Sequence, residues 1–408
     1  MTRKRVLGAA WFATPGLIAL GSFVGWLVAA WRIPTPQVLP DEVIYATSAK
    51  RIADFAGLLP AGQPPNFLYS FLIAPAWRLQ SMGATYGLVK VENALLVTLA
   101  GVFVYLWARR LVARPYAIVA LALTLLLPAL NLSMTVMTEN AVYPCFALAL
   151  FAIALALERP TLIRQGLVLL ALALVVLARV QELVLVPAVV LAVAIKLTLD
   201  RRAGASSRGE TRRQLRLAGV LLIGGLAYAL VRMGEGRSLT GSLGGYQGVL
   251  HGTYSFTDVV QWTLWQAGEL VIAVAFIPVA AFILVAVRFA CDRSTARAER
   301  AFVAISVPAA VLLVGEVGAF GAGGFSGPWI IERYTFYAAP IFFLGFAIWL
   351  GRGLPRPSAL TALALAAPAA LLLSLPLEDK VGPTLSANIL TLAALRRLSE
   401  QHAAQKSG

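Results

Sequence analysis

An all-α polytopic membrane protein is the fold class this sequence predicts, and three observations predict it. Apolar runs long enough to cross a bilayer recur along the chain. The basic residues alternate in density from one connecting segment to the next. The 408 residues are 59% hydrophobic and 13% charged, with a mean hydropathy of +0.80, far from the balance of a soluble globular chain.

A spanning helix needs roughly 20 mostly apolar residues. About eleven candidate spans follow, near 11–31, 87–107, 115–131, 138–157, 166–178, 183–199, 217–233, 268–289, 302–320, 336–350 and 358–376, the fifth and sixth readable as a broken pair. The net charge of +15 is topology rather than a nucleic-acid footprint. With the first span running outward, the inner segments carry Arg3, Lys4 and Arg5, then Arg109, Arg110 and Arg114, then Arg159 and Arg164. Later ones carry Lys196 and the arginines from Arg201 to Arg216, Arg288 to Arg300, and Arg352 and Arg356. The outer turns hold only Arg179, Arg232, Arg237 and Arg333. That is the positive-inside pattern, which predicts a cytoplasmic amino terminus and excludes nucleic acid as the partner the charge serves.

Residues 1–376 therefore read as one multi-spanning domain and 377–408 as a short extracytoplasmic tail. Met1 to Trp31 begins basic, but Trp31-Arg32-Ile33-Pro34 lacks the small residues of a cleavage site, so a retained first helix is expected. Cys145 falls within a span and Cys291 at an inner end, which argues against a disulfide, and two histidines cannot build a histidine metal cluster. Phosphate-loop, dinucleotide and nucleophile-elbow motifs do not occur.

The first outer loop, 32–85, is the most informative segment. Pro40 can open a helix, and Asp41 and Glu42 suit its first turn. At 100° per residue, Thr47, Lys50, Arg51 and Asp54 share one face while Tyr45, Ala49, Ile52 and Ala56 share the other, an amphipathic pattern that fits the membrane interface. Asp41 and Glu42 flank the apolar face, where a plain solvated cap has no need to point. Further outer-face candidates are Glu139 at the head of the fourth span, Arg179 in Arg179-Val180-Gln181-Glu182, and Glu332-Arg333-Tyr334. Arg179 and Glu182 read equally well as an internal ion pair or as part of an anion site. Tyr246 and His251 lie in a glycine-rich outer loop, 234–261, that suits a substrate lid or an ordinary connection.

These residues resemble the motifs of the GT-C superfamily of integral-membrane glycosyltransferases. The matching features, in chain order, are Pro40-Asp41-Glu42-x-x-Tyr45, the segment from Leu68-Tyr69 to Pro75, Met137-Thr138-Glu139, Arg179 and Glu332-Arg333-Tyr334. The likeness runs over roughly residues 10–350. It implies a polyprenyl-phosphate-linked sugar donor, a cell-envelope acceptor and an active site at the extracytoplasmic face of the cell membrane. It also implies Asp41 as catalytic base, Glu42 or Glu139 assisting or helping to bind a divalent metal, and Arg333 on the donor phosphate. Tyr45, Lys50, Arg51, Arg179, Tyr246, His251, Glu332 and Tyr334 are the residues expected around the substrates. The pair departs from a spaced Asp-x-Asp, so a divalent cation (Mg or Mn) on Asp41 and Glu139 is expected only of a metal-dependent enzyme, and no other cofactor is expected. A base opposite the leaving phosphate predicts inversion at the anomeric carbon. The rival readings are a secondary transporter or flippase, and a polysaccharide polymerase or ligase. The first needs ionisable residues at the bilayer midplane. The second needs a larger late outer loop with paired arginines.

Overall fold

A computed structural model describes residues 3–33, 36, 40–57, 66–235, 254–325, 327–356, 358–376 and 380. Among these, every regular element is helical. Six helices are long and apolar enough to cross a membrane, or up to eight if two bent pairs each count as one span. Three shorter apolar helices accompany them, Leu162–Ala178, Phe336–Gly351 and Ala359–Leu373.

The elements are α1 (Arg3–Trp31), α2 (Pro40–Ala53), α3 (Phe67–Ile73), α4 (Met82–Ala108), α5 (Arg114–Leu125), α6 (Glu139–Glu158), α7 (Leu162–Ala178) and α8 (Leu185–Arg202). They continue with α9 (Arg208–Gly234), α10 (Phe256–Val274), α11 (Phe276–Cys291), α12 (Arg297–Ala322), α13 (Ala339–Gly351) and α14 (Ser358–Leu373). The bundle is built around α6 and α12, whose apolar windows are 78% and 72% buried, while those of α1 and α9 are 6% and 11% buried. Composition explains the centre. Buried Ala141, Ala147, Ala149, Ala152 and Ala156 let neighbours approach α6 closely, the small-residue packing of membrane helices. At Gly318 of α12 the approach is closer still, because a Cβ there would stand 2.7 Å from the Cα of Thr263 on α10.

Two expected spans are broken, for local reasons. The expected 115–131 span bends by 55° between Arg114–Leu125 and Pro128–Met134. Leu127, preceding Pro128, is pushed out of helical conformation (ψ 126°). The expected 268–289 span is not one helix. It crosses a 109° break between α10 and α11 at Ala275, whose φ of 69° no helix continues through. The helical segment also reaches back to Phe256, into what the glycine-rich loop was expected to occupy.

The first loop forms α2, with Asp41 and Glu42 in its first turn and Lys50 and Arg51 in its last, the order that complements the helix dipole. Its buried residues are Glu42, Ser48, Ala49 and Ala53, and the Ser70 hydroxyl of α3 donates to the Tyr45 carbonyl at 3.2 Å. Lys90 ties α1 to α4, its Nζ donating to the carbonyl of Ile33 at 2.9 Å. At the start of the tail, the Lys380 carbonyl accepts from the Ile330 amide at 3.0 Å, so residue 380 lies beside the turn carrying Arg333. The rest of 377–408, with Tyr246 and His251, lies outside the described residues.

Candidate active site

Four helix ends converge on one cluster. Asp41 comes from the first turn of α2, Glu139 from the first turn of α6 and Arg179 from the residue closing α7. Arg333 and Tyr334 come from the 3₁₀ turn Glu332–Tyr334 that leads into α13. Glu139 at the amino end of α6 has a favourable helix dipole beneath it.

Arg333 is the hub. Its Nη1 donates to Asp41 Oδ2 at 2.7 Å and its Nη2 to the Tyr334 hydroxyl at 2.9 Å. Its Nε lies 3.8 Å from Glu139 Oε1, beyond hydrogen-bond range, and is buried with no hydrogen-bond partner among the described residues. Burial opposes the charge of Arg333. The Tyr334 oxygen, Glu139 and Asp41 outweigh it and hold the guanidinium above its usual range, so it stays ionised.

Arg179 backs this group from below. Its Nη1 donates to Glu139 Oε1 at 3.0 Å and to the Tyr337 hydroxyl at 2.7 Å, and its guanidinium lies over the Tyr334 ring at 3.9 Å. Its Nε meets the Gln181 side chain. Glu139 thus accepts from Arg179 and, through Oε2, from the Thr138 hydroxyl at 3.3 Å. Tyr45 faces the same place, its hydroxyl 3.5 Å from Thr138 Oγ1. Burial, then the nearby Glu139 carboxylate, raise the Tyr45 phenol far above its ordinary value, so it remains protonated.

The sequence candidates therefore divide. Asp41, Tyr45, Glu139, Arg179, Arg333 and Tyr334 come together. Glu42 does not join them in a salt bridge. It is 1% exposed, and its Oε1 accepts the Val136 amide at 2.8 Å, fastening α2 to the segment before α6. Lys50 is exposed, and Arg51 folds back to the Ala56 carbonyl at 2.9 Å, closing its own helix. Glu332 is buried on the far side of its turn, where it adds to the field on Glu269. Arg179 forms its salt bridge with Glu139, and its charge also acts on Glu182.

Sequence reasoning missed three groups. Tyr337 was within reach, three residues past the end of the Glu332-Arg333-Tyr334 motif. Glu269 and Glu316 are acidic residues within apolar helices, a signal that marks candidates by default. Glu182 Oε2 and Glu316 Oε2 are buried without hydrogen bonds among the described residues, and Glu269 Oε2 accepts from the Thr335 hydroxyl at 2.8 Å. The fit of a divalent cation is poor. Arg333 occupies the position between Asp41 and Glu139, and among the described residues no group of three or more His, Cys, Asp or Glu could hold a metal ion.

Residues 65–207 match the family model described as Dolichyl-phosphate-mannose-protein mannosyltransferase. That family model is one of GT-C type. The matched segment contains Glu139 and Arg179, while Asp41 and Arg333 are brought to it from either side in sequence. A crystal structure of the Archaeoglobus fulgidus oligosaccharyltransferase, tethered with an acceptor peptide, is similar at 14% identity and a TM-score of 0.48. The likeness covers 92% of this chain and 55% of that one, so this chain spans little more than half the length of that protein. No curated protein matches at a significant level.

Proposed function

We propose that this multi-pass membrane protein is a glycosyltransferase that moves a sugar from a polyprenyl-phosphate donor to an extracytoplasmic acceptor of the cell envelope, a glycan, lipid or protein. The observation that carries the reading is the 2.7 Å bond from Arg333 to Asp41. It couples a partly exposed carboxylate to a guanidinium whose Nε has no hydrogen-bond partner among the described residues. An acceptor hydroxyl is a poor nucleophile until a base takes its proton, and a departing phosphate needs a cation. In this reading the acceptor O–H proton passes to Asp41 as the acceptor oxygen bonds to the anomeric carbon. The bond from that carbon to the phosphate oxygen breaks, its electron pair leaves on the phosphate, and Arg333 neutralises the charge. Attack opposite the leaving group inverts the anomeric centre.

Glu139 and Arg179 have positioning roles, holding Arg333 and the Tyr334 ring. The site opens at the extracytoplasmic face of the cell membrane, with the amino terminus cytoplasmic, as the arginine distribution supports. No step passes through a metal ion. The test is transfer from radiolabelled polyprenyl-phosphate sugars to a panel of envelope acceptors, comparing the native protein with Asp41→Asn. Product from the native protein and none from the variant, at equal membrane insertion, is expected. Undiminished transfer by Asp41→Asn would remove Asp41 as the base.

A further inference from the structure

The chain between α5 and α6 leaves helical conformation inside the bundle. Leu127 turns away before Pro128, Thr135 is extended at φ −119° and ψ 163°, and Glu139 opens the next helix. Leu132, Ser133 and Met134 are buried, and buried backbone groups outside a regular helix need partners from elsewhere. Three side chains from three helices supply them. Glu42 of α2 accepts from the Val136 amide. Asn140 of α6 donates through Nδ2 to the Thr135 and Met137 carbonyls, each at 3.1 Å. Asn93 of α4 donates to the Ser133 carbonyl at 3.1 Å and to the Thr135 carbonyl at 2.9 Å.

Asn93 also reaches the opposite way. Its Oδ1 accepts from the Tyr69 hydroxyl at 2.9 Å, and the Tyr69 ring meets the Tyr45 ring edge-on, 6.2 Å between centroids. Asn93 and Tyr69 are both fully enclosed, and the amide stands about 16 Å of helix beyond Met82. One side chain thus touches the backbone that leads into Glu139 and the ring that backs Tyr45, two members of the cluster around Arg333.

A polar side chain inside a span is often only a local bond. Thr98 and Thr124 are of that kind, their hydroxyls returning to the Ala94 and Ala120 carbonyls of their own helices. Every side-chain bond of Asn93 leaves α4 instead, and both routes end at the site. The break that Asn93 satisfies is also what sets Glu139 at the head of α6, 3.0 Å from Arg179 Nη1 and 3.8 Å from Arg333 Nε. We propose that Asn93 is a positioning residue for the site. It fixes the backbone of 133–138 so that Glu139 stands against the two arginines, and through Tyr69 it fixes the Tyr45 ring. The role rests on the glycosyltransferase reading, in which Glu139 holds Arg333.

The test takes the full chain in detergent and measures donor KM, kcat and Tm for two variants. Asn93→Asp keeps the oxygen that Tyr69 uses and removes the amide donor, and Asn93→Ser is the milder change. Thr98→Val, on the same helix, is the control for losing a buried polar bond. Either Asn93 variant should raise donor KM roughly five- to tenfold while kcat falls less than about threefold, the pattern expected of Glu139→Gln. In a Glu139→Gln background, Asn93→Ser should add less than about twofold, because both changes act through one side chain. Thr98→Val should leave both constants near native. Native KM in Asn93→Ser with only Tm lowered would reduce the amide to a helix staple and overturn the proposal, as would full additivity with Glu139→Gln. Hydrogen exchange of the 135–139 amides separates failure here from failure of the glycosyltransferase reading. Were the native protein to transfer nothing, that reading would fall, and exchange would judge Asn93 alone. Exchange at least about tenfold faster in Asn93→Ser, and native in Thr98→Val, would uphold its hold on this segment, and native exchange in Asn93→Ser would overturn it.

Discussion

Two charge clusters sit at opposite ends of the bundle and use the same side-chain chemistry for different ends. At one, Asp200 accepts from Arg300 Nε at 2.7 Å through Oδ1 and from Lys196 through Oδ2. Arg300 also donates to the Thr295 carbonyl, and all three charged residues are 5% exposed or less. Both carboxylate oxygens have a protein cation, and nothing is left to meet a ligand. At the other, Asp41 keeps 35% of its side chain exposed and is bonded to Arg333 through Oδ2, while Arg333 retains a buried Nε without a hydrogen bond among the described residues. The first is a closed staple between α8 and α12. The second is an assembled group with capacity to spare. An ion pair indicates a site when it is incompletely satisfied and reachable, whereas a buried and saturated one indicates structure.

The contrast breaks most sharply on two isosteric substitutions. Asp41→Asn should reduce transfer by about 10²–10⁴-fold, the usual contribution of a general base, with Tm changed little. Asp200→Asn should do the reverse. It strands Lys196 and Arg300 in a buried place and should cost about 3–5 kcal/mol of stability while leaving turnover per folded molecule near native. Measuring transfer and detergent-solubilised unfolding on both variants decides it, and a matched loss of activity and stability in both would erase the distinction.

Arg333→Lys sharpens the comparison next. It keeps the charge and loses the fork that serves Asp41 and Tyr334 together, so a roughly 10²-fold fall in kcat is expected, visible in steady-state kinetics. Glu139→Gln is a smaller perturbation. It weakens the 3.0 Å Arg179 contact and should raise KM for the donor several-fold more than it lowers kcat, as expected of a positioning residue. The smallest effect expected is that of chelation. Transfer in EDTA should stay within about twofold of the untreated rate, since Arg333 stands where a cation shared by Asp41 and Glu139 would go.

Much of this was legible before any coordinates. Asp41, Glu139, Arg179 and Arg333 stand out because each is an ionisable residue at the end of an apolar run, and the same logic carried further would have reached Glu269 and Glu316. Lys196–Asp200 is readable from its spacing of four on one helix face. Glu42 shows the limit. It adjoins Asp41 in sequence, yet helical geometry turns it by about 100° and sends it to the Val136 amide, 94 residues away. Lys50 and Arg51 share α2 with Asp41 but belong to its other end, where they complement the dipole.

The sequence by itself determined that the chain is helical and membrane-embedded, because apolar length and charge placement are local properties summed along the chain. It also determined that α2 begins at Pro40 with two carboxylates in its first turn. Only the tertiary structure decided which of those carboxylates meets an arginine. Asp41 and Arg333 are 292 positions apart, and their 2.7 Å contact depends on the packing of α2 against the bundle and on the turn ahead of α13. Long-range contacts are set by how helices dock, and no periodicity along one helix encodes the neighbour it will find.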